Sequence, residues 1–321
     1  MANARHFLGV VGMLNSLRLV GHREPVYLLD CGLTAPQREL LSPHVSIVAA
    51  PRNAPPPYVL KTIAPLADPA EVMVLIDADM IVTRPLGELI DQARSGKVLA
   101  FRAGYERFFS QWGELLGLGP VERRPYVCSG LVLLGGDEGR AVLRLMDAGQ
   151  KQLSPRTDQP HDPRRFFEAV GDSPFQLADQ DVLNAVLCSR PDAGLQVALD
   201  HALAPDPPFP GLRVTDDDRL RCEAENGPEP YLLHHLGAKP WLVPMADSPY
   251  SRLLASLLVG PEIEVPEGDV PVRLRRSLLA GPARRLAGLQ GRMRSVGDAA
   301  SWRMSWVAAL RNRRTHAARP G

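Results

Sequence analysis

The rest of this chain has to fold around one stretch, Val72-Met73-Val74-Leu75-Ile76-Asp77-Ala78-Asp79-Met80-Ile81-Val82. Five apolar residues, three of them β-branched, run directly into two aspartates one residue apart. Such a run is too β-branched to favour a helix. It reads as a strand buried on both faces, as in a parallel sheet covered by helices. Carboxylates at the carboxyl end of such a strand sit where open α/β sheets bind ligands. With Ala78 between them, Asp77 and Asp79 can turn to one side of the bent strand end and share a hard cation through oxygen. Burying two anions this close is expensive without a counter-charge, and a divalent metal supplies one. Diphosphates are what such metals usually hold in enzymes. The competing reading is that the aspartates merely end the strand and cap the next helix.

Around this stretch the pattern alternates. Apolar runs at 26–30, 45–48, 98–101 and 127–134 read as strands, and helical spacing predicts helices over 7–20, 58–66, 85–94 and 137–150. Thr34 with Gln37 three residues on is a capping box, and Pro36 suits the first turn that follows. Strands alternating with helices indicate a doubly wound parallel sheet. The 321 residues suffice for one large α/β domain, 1–260, followed by a basic, partly helical or disordered tail, 261–321.

Charge separates these two parts. Residues 271–321 carry twelve Arg and one acidic residue, Asp298, or +11, whereas residues 1–270 hold 25 Lys and Arg against 35 Asp and Glu, or −10. Leucines at helical spacing among the arginines of 273–294 suit an anionic membrane surface. No recognition motif or interleaved aromatics point to specific nucleic-acid binding. Cys31, Cys128, Cys188 and Cys222 form no C-x-x-C pair, so neither a thiolate zinc site nor a disulfide framework is implied. Reduced thiols and an N-terminal apolar run too short for a signal peptide place the chain in the cytoplasm, with a peripheral position at the inner membrane face as the tail's contribution.

Three further stretches carry chemistry. Ser129-Gly130 interrupts a strand, which marks either a bulge or close approach of a ligand. Asp179-Gln180-Asp181-Val182-Leu183-Asn184 opens a helix with acidic residues where the macrodipole favours them, but capping gives no reason for Gln180. Tyr231-Leu232-Leu233-His234-His235-Leu236-Gly237-Ala238-Lys239-Pro240-Trp241 ends a strand in two histidines, then a glycine turn and a lysine. Imidazole can ligate a cation and ammonium can neutralise phosphate. Residues 102–125 read as an irregular segment whose aromatics either meet substrate or form a satellite cluster. Residues 200–230 read as a Pro- and Asp-rich loop, in which Asp206 or Asp216-Asp217-Asp218 could bind a cation but read better as solvated turns.

In this order these stretches resemble glycosyltransferase family 8, the retaining enzymes that include glycogenin and bacterial lipooligosaccharide galactosyltransferases. Ser16-Leu17-Arg18 and Leu28-Leu29-Asp30-Cys31-Gly32-Leu33-Thr34 look like its opening unit, and Lys61 with Leu75-Ile76-Asp77-Ala78-Asp79 like its K…LDAD segment. Cys128-Ser129-Gly130 looks like its N-[SA]-G strand, Asp179 to Asn184 like its DQD helix, and His234 to Trp241 like its H-[FY]-x-G-x-x-K-P-W. The resemblance implies a GT-A fold: a Rossmann-like, doubly wound mixed sheet forming a single nucleotide-sugar-binding domain, here with a basic helical C-terminal tail. It implies a metal-dependent transfer of a hexose from a UDP-sugar to an acceptor the sequence does not identify. Asp77, Asp79 and His234, or failing it His235, would hold Mn²⁺ or Mg²⁺. Lys61, Asp77, Ala78, Ser129, Gly130, Gly237 and Lys239 would contact the donor. Asp179 would bind donor hydroxyls and Gln180 would lie beneath the anomeric carbon.

The sequence departs from that pattern in four places. One residue is missing between Gly237 and Lys239, so the histidine can be anchored from either side; counting from Gly237 selects His234, with His235 as the fallback. Cys128 replaces an asparagine, and Asn3 and His6 stand where the base-binding segment has aspartate and tyrosine. The strand expected before Ala2 is absent, which suggests a late start. Two alternatives compete with the transferase. One is a degenerate nucleotide-sugar-binding scaffold, and the other a sugar nucleotidyltransferase, which would want a Gly- and basic-rich N-terminal loop that this sequence lacks.

Overall fold

The computed structural model describes residues 1–51, 60–152, 173–190, 192–242 and 248–275. The tail from residue 276 on, and with it most of the amphipathic stretch at 273–294, lies outside them. In chain order the elements are α1 (Phe7–Leu19), β1 (Tyr27–Asp30), α2 (Ala35–Leu41), β2 (Ser46–Ala49), α3 (Ile63–Ala67), β3 (Val72–Ile76), β4 (Met80–Val82), α4 (Gly87–Arg94) and β5 (Val98–Arg102). There follow α5 (Trp112–Leu115), β6 (Val127–Gly135), α6 (Gly136–Gln152), α7 (Asp179–Ser189), β7 (Gln196–Leu199), β8 (Leu212–Asp216), β9 (Arg221–Ala224), β10 (Leu232–His234) and α8 (Pro249–Leu257).

The central sheet runs β3-β6-β5-β7. β6 is antiparallel to both neighbours and β5 is parallel to β7, so the sheet is mixed. Its two faces follow from the period of two along a strand. Leu131, Leu133, Leu99 and Phe101 point into a core shared with α1, α8 and β10. Val132, Leu134, Val98 and Ala100 point the other way, against α6 and α7. The first core also takes in Ile263, Val265, Val270 and Leu274 from beyond α8.

Helix α1 is buried at eleven of its thirteen residues, and its polar groups are matched to backbone. Asn15 donates to Leu257 O and Ile263 O (both 2.7 Å), and Ser16 Oγ accepts from Val82 N (3.0 Å). The expected capping box at Thr34 and Gln37 starts α2. Among the described residues no helix is long and apolar enough to cross a membrane.

Two expectations need correction. β3 is not buried on both faces: Val74 is 37% exposed, because among the described residues β3 is the edge of its sheet and pairs only with β6. Between β3 and the separate β1–β2 pair lies a cavity of about 240 Å³, lined by Met13, Leu28, Leu29, Val74 and Ile76 among others. Residues 200–230 are not simply loop, since β8 and β9 pair there as an antiparallel hairpin. Asp216 does sit in a solvated turn, accepting from the N–H groups of Asp218 and Arg219.

Candidate active site

The chain turns through Asp77-Ala78-Asp79 from β3 into β4, and β4 leaves the central sheet to pair with β10. Asp77 N donates to Gly130 O (2.8 Å) on the β6 side, whereas Asp79 O accepts from His235 N (3.0 Å) on the β10 side. The two aspartates therefore straddle a junction between sheets. α1 presses on that junction through Gly9, where an added Cβ would lie 2.4 Å from Ala78 O.

The β4–β10 register sets His234 opposite Met80, and the imidazole Nε2 comes within 3.6 Å of Asp79 Oδ1. Asp77, Asp79 and His234 each offer one ligand atom, all within 4.8 Å of one another. Asp79 Oδ1 is buried with no hydrogen-bond partner, a state that costs about 1–3 kcal/mol or more until a donor or cation meets it. Two carboxylates and an imidazole suit Mn²⁺ or Mg²⁺, so the residues present fit a divalent cation. Gly130 makes room for this cluster, because a Cβ there would lie 2.2 Å from Met80 Cε and 3.0 Å from His234 Cε1.

Neighbouring residues along a strand point to opposite faces, and His235 accordingly turns away from the carboxylates. Its ring centroid packs 4.8 Å from that of Tyr250. Burial and then Lys239 pull its pKa down to about 4, so it is a neutral packing residue. Of the two histidines that the sequence offers, His234 is the one that faces Asp79.

Lys61 and Lys239 supply the site's ammonium groups. Lys61 Nζ lies 2.8 Å from Asp77 Oδ1 and 2.9 Å from Asp179 Oδ2, and donates to Ser129 O at 2.9 Å. Burial alone would lower its pKa, but the two carboxylates outweigh that and raise it. Gly237, at φ +75°, turns the chain back, so that Lys239 Nζ reaches His235 O (2.6 Å) and the Asp79 carboxylate. Burial pushes Asp79 up, yet Lys239 and His234 together hold it well below the usual carboxylate range. Asp77 ends higher than usual, since burial, Asp79 and Asp179 outweigh Lys61. Among the described residues the carboxylates of Asp77, Asp79, Asp179 and Asp206 gather around the ammonium groups of Lys61 and Lys239, with the N-terminal amine of Met1 also within electrostatic reach of Asp77.

α7 contributes the polar floor. Gln180 is buried, with Oε1 accepting from Ser129 N (3.4 Å) and Nε2 donating to Tyr105 OH (2.9 Å). Asp181 faces the other way. It accepts from Arg107, from Tyr126 OH (2.7 Å) and from Leu177 N (2.7 Å), which makes it a structural anchor. Phe108, Phe109 and Trp112 form the satellite cluster that was one of two readings of 102–125. Ala178, just before α7, has φ +45°, a strained conformation for a residue with a Cβ.

The sequence reading did not foresee the bond between Tyr105 and Gln180, the contact of Cys128 Sγ with His234 Nδ1 (3.6 Å), or the place of Asp206, which is no solvated turn. Asp206 Oδ1 is 3.2 Å from His234 Nδ1, and Oδ2 is 3.1 Å from His201 Nε2. Asn3 and His6 bond to each other (3.0 Å) beside this site.

No protein-family model matches the sequence, and no curated protein matches it. Solved structures match it in fold. An active-site mutant of LgtC superposes with a TM-score of 0.51 at 14% identity, covering 83% of this chain and 95% of that one. The bifunctional glycosyltransferase WbbM, in its apo form, gives 0.51 at 14%, covering 81% of this chain and 49% of its own. The mixed sheet between helical layers is the GT-A fold of these glycosyltransferases.

Proposed function

We propose that this protein is a retaining, metal-dependent glycosyltransferase that moves a hexose from a UDP-sugar to an acceptor hydroxyl on a glycan, a lipid-linked saccharide or a small molecule. The observation that carries the reading is the convergence of Asp77, Asp79 and His234 within 4.8 Å, joined through Lys61 to Asp179 and bordered by Gln180. The shared fold with LgtC and WbbM supports it.

Asp77, Asp79 and His234 would hold Mn²⁺ or Mg²⁺, which when bound stabilises the charge developing on the departing diphosphate. Lys239 adds a positive charge beside Asp79 for the phosphates. Lys61 bridges Asp77 and Asp179 through its ammonium, leaving the other Asp179 oxygen for donor hydroxyls. Gln180 is held between Ser129 N and Tyr105 OH, and its carboxamide oxygen keeps a lone pair for the electron-poor anomeric carbon. Backbone at Ala78, Ser129, Gly130 and Gly237 would contact the donor. The arginines of 271–321 dock the enzyme on an anionic membrane, at the cytoplasmic face.

The test is donor hydrolysis without acceptor, over a panel of UDP-sugars, with and without Mn²⁺ and beside Asp79→Ala. One donor turned over only with Mn²⁺, at least about 10²-fold more slowly by the variant, is the expected result. Absence of both turnover and Mn²⁺-dependent UDP binding by calorimetry would refute the transferase and leave the scaffold.

A further inference from the structure

We infer that Asp206 is a positioning residue for the metal site: it holds the imidazole of His234 with its proton on Nδ1, so that the Nε2 lone pair faces Asp77 and Asp79. The inference rests on the reading of Asp77, Asp79 and His234 as cation ligands.

The geometry is specific. His234 is buried, with its two ring nitrogens facing opposite partners, Nε2 toward Asp79 Oδ1 at 3.6 Å and Nδ1 toward Asp206 Oδ1 at 3.2 Å. Only the neutral ring with its proton on Nδ1 can donate to Asp206 and present a lone pair toward Asp79. Asp206 Oδ1 is buried with no hydrogen-bond partner of regular geometry, and His234 Nδ1, at 3.2 Å, is the nitrogen within ion-pair reach of it. His201 Nε2 secures the second oxygen at 3.1 Å, which stops the carboxylate from rotating away. The backbone closes the arrangement, with His234 N donating to Pro205 O (3.2 Å), one residue before Asp206. Cys128 Sγ lies 3.6 Å from the same Nδ1, but it accepts from Gly130 N at 3.4 Å and is a much weaker acceptor than a carboxylate. Carboxylate–histidine–metal chains fix ligand tautomer and basicity, and their loss typically costs 10–100-fold in metal affinity.

The experiment compares Mn²⁺ binding to the full chain, in the presence of UDP, by electron paramagnetic resonance of the free ion. Wild type, Asp206→Asn and Asp206→Leu are titrated, each checked for folding by circular dichroism. Leucine removes the acceptor and weakens Mn²⁺ about 10–100-fold. Asparagine keeps a carbonyl oxygen for the Nδ1 proton and recovers part of that loss. A folded Asp206→Leu that binds Mn²⁺ as tightly as wild type overturns the inference while leaving the metal site intact. Wild type that binds no Mn²⁺ sinks the metal reading itself, and the role of Asp206 with it. Should the leucine variant not fold, imidazole ¹⁵N spectra of the wild type with diamagnetic Mg²⁺ and UDP decide. A His234 proton on Nδ1 supports the inference, and one on Nε2 overturns it.

Discussion

Replacing Lys61 by methionine tests the electrostatic core of the site. The ammonium touches two carboxylates, Asp77 at 2.8 Å and Asp179 at 2.9 Å, and its side chain is only 7% exposed. At an effective dielectric of about 20, each contact is worth roughly 6 kcal/mol of Coulomb attraction before desolvation is subtracted. Methionine fills similar volume, so packing changes little, but two neighbouring carboxylates lose their shared counter-charge. Removing one partner of a buried pair costs about 3–5 kcal/mol, and that is the loss expected in the unfolding free energy of metal-free Lys61→Met. A divalent cation restores part of the missing charge. At a hundredfold excess over its Kd the cation should stabilise wild type by about 2.7 kcal/mol. At the same free concentration it should stabilise the variant by roughly 1 kcal/mol more, within the range of couplings between groups in one network. The assay is urea denaturation of both proteins in EDTA and in Mn²⁺ with UDP. A metal-free loss below about 1 kcal/mol, as for a surface pair, would refute the assignment of Lys61 as the counter-charge. Equal stabilisation of both proteins by metal would refute the coupling between Lys61 and the cation site.

Two other perturbations separate close packing from charge. Gly130→Ala places a Cβ 2.2 Å from Met80 Cε and 3.0 Å from His234 Cε1; calorimetry should show weaker Mn²⁺ binding, and denaturation an overpacking cost of about 1–3 kcal/mol. Asp30 is pushed up by burial, but Arg38 and the N–H groups of Leu33 and Gly32 outweigh that and hold it below its ordinary value. Its contribution is therefore present above the ordinary carboxylate range and lost as pH falls through the lower folded value. Asp30→Asn should flatten that acid limb in denaturation curves between pH 5 and 2 (roughly the window in which paired carboxylates titrate) and leave neutral-pH metal binding unchanged.

What the sequence made legible were elements with local signals. The apolar run before Asp77, the capping box at Thr34 and the acidic opening of α7 each follow from short-range chemistry, and the structure forms all three. Between His234 and His235 the missing residue left only a count back from Gly237, which picks His234; strand alternation agrees with that count, sending the His234 ring to Asp79 and the other to Tyr250. Asp206 sits in Pro205-Asp206-Pro207-Pro208, whose composition reads as a solvated turn, and only tertiary contact with His234 reveals its burial. The same composition hid the β8–β9 hairpin. The edge position of β3 was invisible too, since it depends on which strand pairs with which, and Thr83 and Pro230, hydrogen-bonded at 2.7 Å, are 147 residues apart.

The position of Asp77-Ala78-Asp79 at the join between two sheets carries a further consequence. One aspartate moves with β3 and β6, while the other moves with β4 and β10, which also brings the histidine. A cation held by all three would act as a rivet through two plates: any shear between the sheets would stretch its coordination, and any loss of the cation would release the shear. Slow amide exchange along β4 and β10 should then report on metal concentration, and the protein would become mechanically stiffer as it became competent to bind its donor.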